Sequence, residues 1–341
     1  MRHQPFVSVV VCTYNGANHL AETLTALTKQ SYPQSSLEII VIDDGSTDDT
    51  ANIAAQFNVQ LVAHGHNRGL GVGRNSGITA ARGEIIAFTD DDCLPDSNWL
   101  ESLILPYSDA TVMATGGKTV AVSSDTPTER YMDLSGYGNP APLGISGGPA
   151  LSSRFATYIR QMVTPLHTLV KDQQDLQEIF TLNASCRTAM LREIGGFDVR
   201  LRAAEDSDVS VRLNAKFPLH HIVFASQAHV AHRHRRQLWP WIAQTFERSQ
   251  DAYLQIRKEN RLPPIFPFPI FAVLLSLAAL THGHLVALIT LLVAPLVLYW
   301  WWQIRLAGKP LLDRLRFPYM QFFLEGATLS GYAVAFLRRR S

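Results

Sequence analysis

Apolar and polar positions alternate between two periods over the first ninety residues. Phe6–Thr13 (FVSVVVCT) is a β-branched run of strand length. Next comes YNGANHLAETLTALTKQ, where Asn15–Asn18 makes a turn and Leu20, Leu24 and Leu27 recur at helical spacing. Leu37–Asp43 (LEIIVID) reads as a second strand, TANIAAQF as a helix and Gln60–His64 as a short third strand. Gly73–Ala81 reads as helix, and Glu84–Thr89 (EIIAFT) as a fourth strand that runs directly into three aspartates. Strand and helix alternating at this pitch predict βαβ units, an α/β fold and a mostly parallel central sheet. Ligands of such sheets bind beyond the carboxyl ends of the strands. Polar clusters stand at those ends: Thr13–Asn15, Asp43–Asp44 and Asp90–Asp92.

The pattern changes after residue 260. IFPFPIFAVLLSLAAL, THGH and LVALITLLVAPLVLYWWW fill 265–302. One helix of that length would measure about 57 Å, against a hydrocarbon core of about 30 Å. The expectation is therefore a C-terminal transmembrane hairpin over 264–304, turning at Thr281–His284. Arg257, Lys258 and Arg261 precede it and Arg305, Lys309, Arg314 and Arg316 follow, which places both ends in the cytosol. Trp300–Trp302 would sit at the membrane interface. A buried helical hairpin is the alternative. FPYMQFFLEGATLSGYAVAFL (317–337) carries Gln321 and Glu325, so 305–341 is expected to be a cytosolic or interfacial helix. Residues 1–240 form the expected catalytic domain, and 241–263 a linker or interfacial helix.

Composition narrows the choice. The 341 residues carry 30 Lys and Arg against 29 Asp and Glu, a balance that does not suggest a nucleic-acid partner. Three cysteines, Cys12, Cys93 and Cys186, are far apart and show no CxxC spacing, so neither a disulfide framework nor a structural zinc site is expected. The first apolar run is too short for a signal peptide. The expected location is the cytosolic face of the inner membrane.

The aspartates carry the candidate chemistry. Hard cations select carboxylate oxygens, and Mg²⁺ commonly links one or two carboxylates to phosphates. Alternate residues of an extended stretch point the same way, so Asp90 and Asp92 can chelate together while Asp91 points elsewhere. NRGLGVGRNSG (67–77) matches neither G-x-G-x-x-G nor the P-loop pattern. It offers flexible backbone with Arg68 and Arg74, or simply a Gly-rich turn.

VSVVVCTYNG, VIDDGSTDDT, NRGLGVGRNSG, FTDDDCLPD and NASCRTAMLREIGGFDVRLRAAEDSDVSVRL follow one another in that order. Together they resemble the family 2 inverting glycosyltransferases of the GT-A (Rossmann-like) fold, over roughly residues 6–235 and least at 118–180. The resemblance implies a nucleotide pocket built from Thr13, Tyr14, Asn15, Asp43, Asp44, Asn67, Arg68, Arg74 and Asp91. It implies Mn²⁺ or Mg²⁺ on Asp90 and Asp92, stabilising a diphosphate leaving group. Glu205 and Asp206 match the family's acidic pair, with Asp206 as the base for the acceptor hydroxyl. Their other reading is favourable charge at a helix N-terminus.

AHVAHRHRRQLWPW (228–241) offers His232 as a further metal or phosphate ligand, with His229 and His234 competing. RRQLW differs from the Q-x-x-R-W of processive members, which favours single-sugar transfer. TPTERYMDLSGYGNPAPLGISGG (126–148) reads as a long loop, and 118–180 as an acceptor or donor lid. Arg154–Val170 reads as an amphipathic helix at the membrane surface. The implied donor is a UDP- or GDP-sugar, and the membrane hairpin suggests a lipid-linked or membrane glycan acceptor. A nucleotidyltransferase and a non-catalytic binding module are the alternatives.

Overall fold

The computed structural model describes residues 4–140, 150–164, 170–201, 203–258 and 262–338. Two compact units divide the chain. The first comprises Met1–Ser123, Met132–Ile145 and Leu166–His234; the second comprises Ser124–Tyr131, Ser146–Pro165 and Arg235–Ser341.

The first unit is built on an eight-stranded sheet. Its strands are β1 (Val7–Thr13), β2 (Leu37–Asp43), β3 (Gln60–Ala63), β4 (Ile85–Asp90), β5 (Cys93–Pro95), β6 (Val112–Ala121), β7 (Asn183–Arg187) and β8 (His221–His232), in the order β3-β2-β1-β4-β7-β6-β8-β5. The four strands expected from periodicity are all present, with ends within one residue of expectation. The sheet is mixed, however, where a mostly parallel one was expected. β1, β2, β3 and β4 pair in parallel, but β7 runs antiparallel to both β4 and β6, and β5 antiparallel to β8. β7 is five residues of NASCR, too short and polar to announce a strand or its direction.

Alternation along the strands fills two cores. Val7, Val9, Val11, Ile39 and Val41 face one cluster with Leu20, Leu24 and Leu27 of α1 (Leu20–Thr28). Val10, Cys12, Ile40 and Ile42 face the other. There they meet Ile78 of α3 (Leu70–Ala80) and Val209 and Leu213 of α8 (Glu205–Lys216), with the short helices α2 (Thr50–Ala54), α4 (Trp99–Ile104) and α7 (Thr188–Glu193) also in this unit. Each fully buried leucine contributes about 1.5–3 kcal/mol. Because α3 and α8 cover the same face, their polar residues come together at its edge.

The second unit is helical. It contains α6 (Leu151–Val163), α9 (Leu238–Lys258), α10 (Pro267–Ala279), α11 (His284–Leu298), α12 (Trp301–Arg305) and α13 (Leu311–Arg338). The segment read as a loop from Thr126 instead starts α5 (Pro127–Ser135), a helix that continues into the first unit. A capping box starts it: Thr126 N donates to Glu129 Oε2 at 2.7 Å, and Glu129 N donates to Thr126 Oγ1 at 3.2 Å. Proline at the first helical position adds to that signal. Residues 141–148 of the expected loop lie outside the described residues.

The transmembrane hairpin is overturned. Among the described residues, no helix is long and apolar enough to cross a membrane. α10 and α11 have 13 and 15 residues, so they span only about 20 and 22 Å. The left-handed Gly283, at φ 108°, separates them. The expected inner-membrane location loses its basis with the spans. The interfacial tryptophans are also corrected. Trp301 and Trp302 are buried among Phe268, Tyr299, Tyr131 and Phe317, and Trp300 alone of the three is exposed.

Residues 317–337 belong to α13, whose Glu325 is buried. The Glu325 carboxylate accepts from Tyr299 at 2.7 Å, from Tyr158 at 2.9 and 3.1 Å, and from the Gln321 amide at 2.9 Å. Burial pushes this carboxyl up to about 7, against those three stabilising donors.

Candidate active site

Strand ends, one loop and one helix start bring the acidic groups together. β1 and β4 pair in register, with Cys12 opposite Asp90, so Thr13 and the aspartates share one edge. The three aspartates then diverge. Asp90 turns to Arg74, whose Nη2 lies 3.8 Å from its Oδ1. Asp91 accepts from Thr13 Oγ1 at 2.5 Å. Asp92 faces His232, Oδ1 to Nε2 3.5 Å. The close approach of Asp91 requires glycine at position 16, where a Cβ would lie 2.1 Å from Asp91 Oδ2. Burial raises Asp90, and it raises Asp91 to about 7, because neighbouring negative charge adds to the loss of water.

Arg74 is buried at the centre of this edge. Its Nη1 lies 2.6 Å from Glu205 Oε1 and 3.5 Å from Asp206 Oδ1, and its guanidinium sits 5.4 Å from the Phe197 ring centroid. Burial opposes its charge, but Asp206, Glu205 and Asp90 together raise its pKa. The resemblance implies a place for Arg74 in the nucleotide pocket; its guanidinium lies against the carboxylates of Glu205, Asp206 and Asp90.

Glu205 and Asp206 open α8, where an acidic first turn meets the positive end of the helix. Ala204, just before them, is held left-handed at φ 63°, a conformation that costs energy for a residue with a Cβ. Asp206 is aimed by Thr181, whose N–H and hydroxyl donate to its two oxygens at 3.1 and 2.8 Å. Burial raises Asp206 to about 6; Arg74 and Thr181 limit that rise. A carboxylate near 6, fixed in direction and partly open, has the properties of a general base at neutral pH.

The residues expected on the nucleotide side divide. Tyr14, Asn67 and Arg68 are exposed at the rim. Asp43 and Asp44 are buried, and Asp44 is engaged by the loop itself. It accepts from Arg68 N at 3.0 Å, Gly69 N at 2.8 Å and His64 Nδ1 at 2.6 Å. Asn15, at φ 54°, accepts from Thr47 N at 2.8 Å and so fixes the turn after β2. Asp43 accepts from Ser46 N at 2.9 Å.

On the other side, His232 Nδ1 and His234 Nδ1 are 2.9 Å apart, and Tyr137 packs against both rings. Among the described residues, one group of three possible ligand atoms lies close enough to share a cation: Asp92, Cys93 and His232, within 4.8 Å of one another. The carboxylate there suits a hard cation such as Mn²⁺ or Mg²⁺, whereas the imidazole and the thiol suit softer divalent ions. Thr181 and Tyr137 escaped the sequence reading, because no spacing links them to the aspartates. Cys93 lacks the CxxC spacing that would have marked it as a ligand in the sequence.

Residues 8–172 match the family Glycosyl transferase family 2. A pre-mycofactocin glycosyltransferase of Mycobacterium tuberculosis is 30% identical over 266 residues, 76% of this chain and 49% of that protein. The glycosyltransferase AglE of Haloferax volcanii is 38% identical over 134 residues, 37% of this chain and 44% of that one. The chain thus spans about half the length of these curated relatives. Among solved structures, a mannosyltransferase of Pyrobaculum calidifontis, in complex with GDP-Man and Mn²⁺, covers all of this chain and 89% of its own, with a TM-score of 0.58 at 21% identity. The fold is thus GT-A-like. The chain carries a glycosyl transferase family 2 domain, the domain of sugar-transferring enzymes.

Proposed function

We propose that the chain transfers a single sugar from a nucleotide-diphosphate sugar to an acceptor hydroxyl, by one displacement that inverts the anomeric carbon. The observation that carries the reading is the Thr181-aimed Asp206 beside the buried Arg74, on the same sheet edge as Asp90–Asp92. Asp206 takes the acceptor proton as the acceptor oxygen attacks. Glu205, fixed on Arg74, holds that arginine in place. Tyr14, Asn67 and Arg68 form the open rim of the nucleotide side, and Thr13, Asn15, Asp43 and Asp44 shape its floor. Asp91 is tied to Thr13 and completes that floor.

Asp92 and His232, with Asp90 on the Arg74 side, would hold Mn²⁺ or Mg²⁺. When bound, the cation neutralises the departing diphosphate. The Pyrobaculum mannosyltransferase, solved with GDP-Man and Mn²⁺, supports a donor of this class. The membrane acceptor expected from the hairpin loses its support along with the spans, so the acceptor is proposed only as a hydroxyl.

The test is nucleotide release by the purified full chain, with UDP- and GDP-sugars, Mn²⁺ or Mg²⁺, and free-sugar and lipid-linked acceptors. Release from one donor, dependent on the cation and abolished in Asp92→Ala and Asp206→Asn, is the expected result. Full turnover in Asp206→Asn would remove the assigned base. Donor binding without turnover across the panel would favour the binding module.

A further inference from the structure

Asp92, Cys93 and His232 hold one oxygen, one sulfur and one nitrogen within 4.8 Å of one another. β5 and β8 are antiparallel with Cys93 directly opposite His232, so the two side chains occupy the same side of the ladder. Asp92 Oδ1 lies 3.5 Å from His232 Nε2 and 3.8 Å from Cys93 Sγ. In a tetrahedral zinc site the bond lengths to oxygen, nitrogen and sulfur put such ligand pairs about 3.4 and 3.6 Å apart. The observed separations are within a few tenths of an ångström of both.

The imidazole is also prepared for a ligand role. His232 Nδ1 faces His234 Nδ1 at 2.9 Å. With the proton on His232 Nδ1 and His234 accepting it, the lone pair of His232 lies on Nε2, toward Asp92. This is the outer-shell arrangement that fixes tautomer and ring direction in metal sites. Tyr137 packs on both rings and limits their rotation.

We propose that Asp92, Cys93 and His232 form a mixed oxygen–sulfur–nitrogen site for a thiophilic divalent cation of the Zn²⁺ and Cd²⁺ class, and that this cation displaces Mn²⁺ from the active site. Hard cations take the carboxylate and leave the thiol protonated; thiophilic cations add the sulfur. Binding forms a metal–sulfur bond as the S–H bond breaks, and the proton leaves to solvent. No electrons are transferred. Asp92 and His232 are then unavailable to a hard cation, so Zn²⁺ acts as an inhibitor. The displacement part rests on the Mn²⁺ assignment above; the sulfur ligation does not.

Two readouts on the full chain, in a buffer with a non-thiol reductant, separate these parts. Cd²⁺ is titrated while the near-ultraviolet thiolate-to-cadmium absorption is followed. Bound Mn²⁺ is followed by its electron paramagnetic resonance signal as Zn²⁺ is added. The expected results are a saturable absorption in the wild type and in Cys12→Ser and Cys186→Ser, and none in Cys93→Ser. His234→Ala should weaken Cd²⁺ binding by roughly 10- to 100-fold, as loss of an outer-shell partner does. Zn²⁺ should displace Mn²⁺ from the wild type at lower concentration than from Cys93→Ser.

Thermal melting and Cys93→Ala check that loss of the signal is not loss of the fold. An absorption that persists in a folded Cys93→Ser, or wild-type protein that binds Cd²⁺ without the absorption, overturns the site. Absorption without any Mn²⁺ binding keeps the sulfur site and overturns the Mn²⁺ assignment instead.

Discussion

The two units handle charge and apolar surface in opposite ways. The first unit hides its valines, isoleucines and leucines on both faces of a sheet and gathers carboxylates at the sheet's edge around one arginine. The second unit buries a carboxylate, Glu325, under two tyrosine hydroxyls and an amide. Its hairpin turns Leu274, Leu285, Leu288 and Val297 outward. In the first unit, charges that repel one another are held together by Arg74, an arrangement that clusters at functional sites. In the second, Asp313 is paired with Arg130, while Glu325, set among tyrosines, lowers its cost by holding its proton to higher pH. Clustered acids with a buried cation mark a site; a single acid among aromatic rings marks a core that has accommodated a polar group.

The largest effect should come from breaking the edge of the first unit at its base. Asp206→Asn keeps the shape, but its amide has one oxygen to accept where Thr181 donates to two, and it cannot take a proton. Its kcat should fall by about 10²- to 10⁴-fold, with little change in melting temperature. Wild-type kcat should itself drop as pH falls through about 6, since Asp206 must be unprotonated to act. A flat profile from pH 5 to 8 would count against Asp206. Arg74→Ala should act on the fold as well as the site. It leaves Glu205 and Asp206 as buried carboxylates without their cation, and breaking a buried pair costs about 3–5 kcal/mol. Urea denaturation would show this, and a loss below 1 kcal/mol would mean the carboxylates already hold protons.

Much of the first unit could be read directly from residues. β1, β2, β3 and β4 have regular hydrophobic periods, and their polar ends mark the edge where the acids meet. The partners of those acids were harder to see. Arg74 sits in a Gly-rich stretch that resembles a surface turn, and only the shared coverage of one sheet face by α3 and α8 brings it under Asp206. Thr181 and Tyr137 act through three-dimensional proximity alone. α5 was legible in retrospect through Thr126 and Glu129, but the Gly- and Pro-rich residues after it masked the cap. The hairpin misled because hydropathy counts apolar residues, whereas crossing a membrane also requires unbroken helix. The short lengths of α10 and α11 deny that, whereas Gly283 falls within the turn expected at Thr281–His284.

The second unit can be tested through pH. Glu325 is raised to about 7 in the fold from an ordinary 4.5. Between those values the folded chain binds more protons than the unfolded one, so stability falls as pH rises through this window. Full ionisation should cost on the order of 3 kcal/mol. The facing groups are Tyr158, Tyr299 and Gln321, with Tyr131 nearby and Arg305 beside Tyr131. Glu325→Gln removes the titration, so its melting temperature should lose the decline seen in the wild type between pH 5 and 7. An identical decline in both would assign the effect to another group.

The smallest effect should come from the outward face of the hairpin, and it sharpens the contrast most directly. Leu274 is 55% exposed on α10, whereas Leu24 is fully buried on α1. Leu24→Ala removes packed atoms and leaves a cavity, at a cost of about 2–5 kcal/mol. Leu274→Ser removes apolar surface that already faces out, and should stay within about 0.5 kcal/mol of the wild type. Parallel urea melts of the two variants, each followed across the full transition, provide the comparison. If Leu274→Ser cost as much as Leu24→Ala, the α10 face would have to be packed against something in solution. The apolar surface of the second unit would then be an interior, and the difference between the two units would reduce to where each keeps its carboxylates.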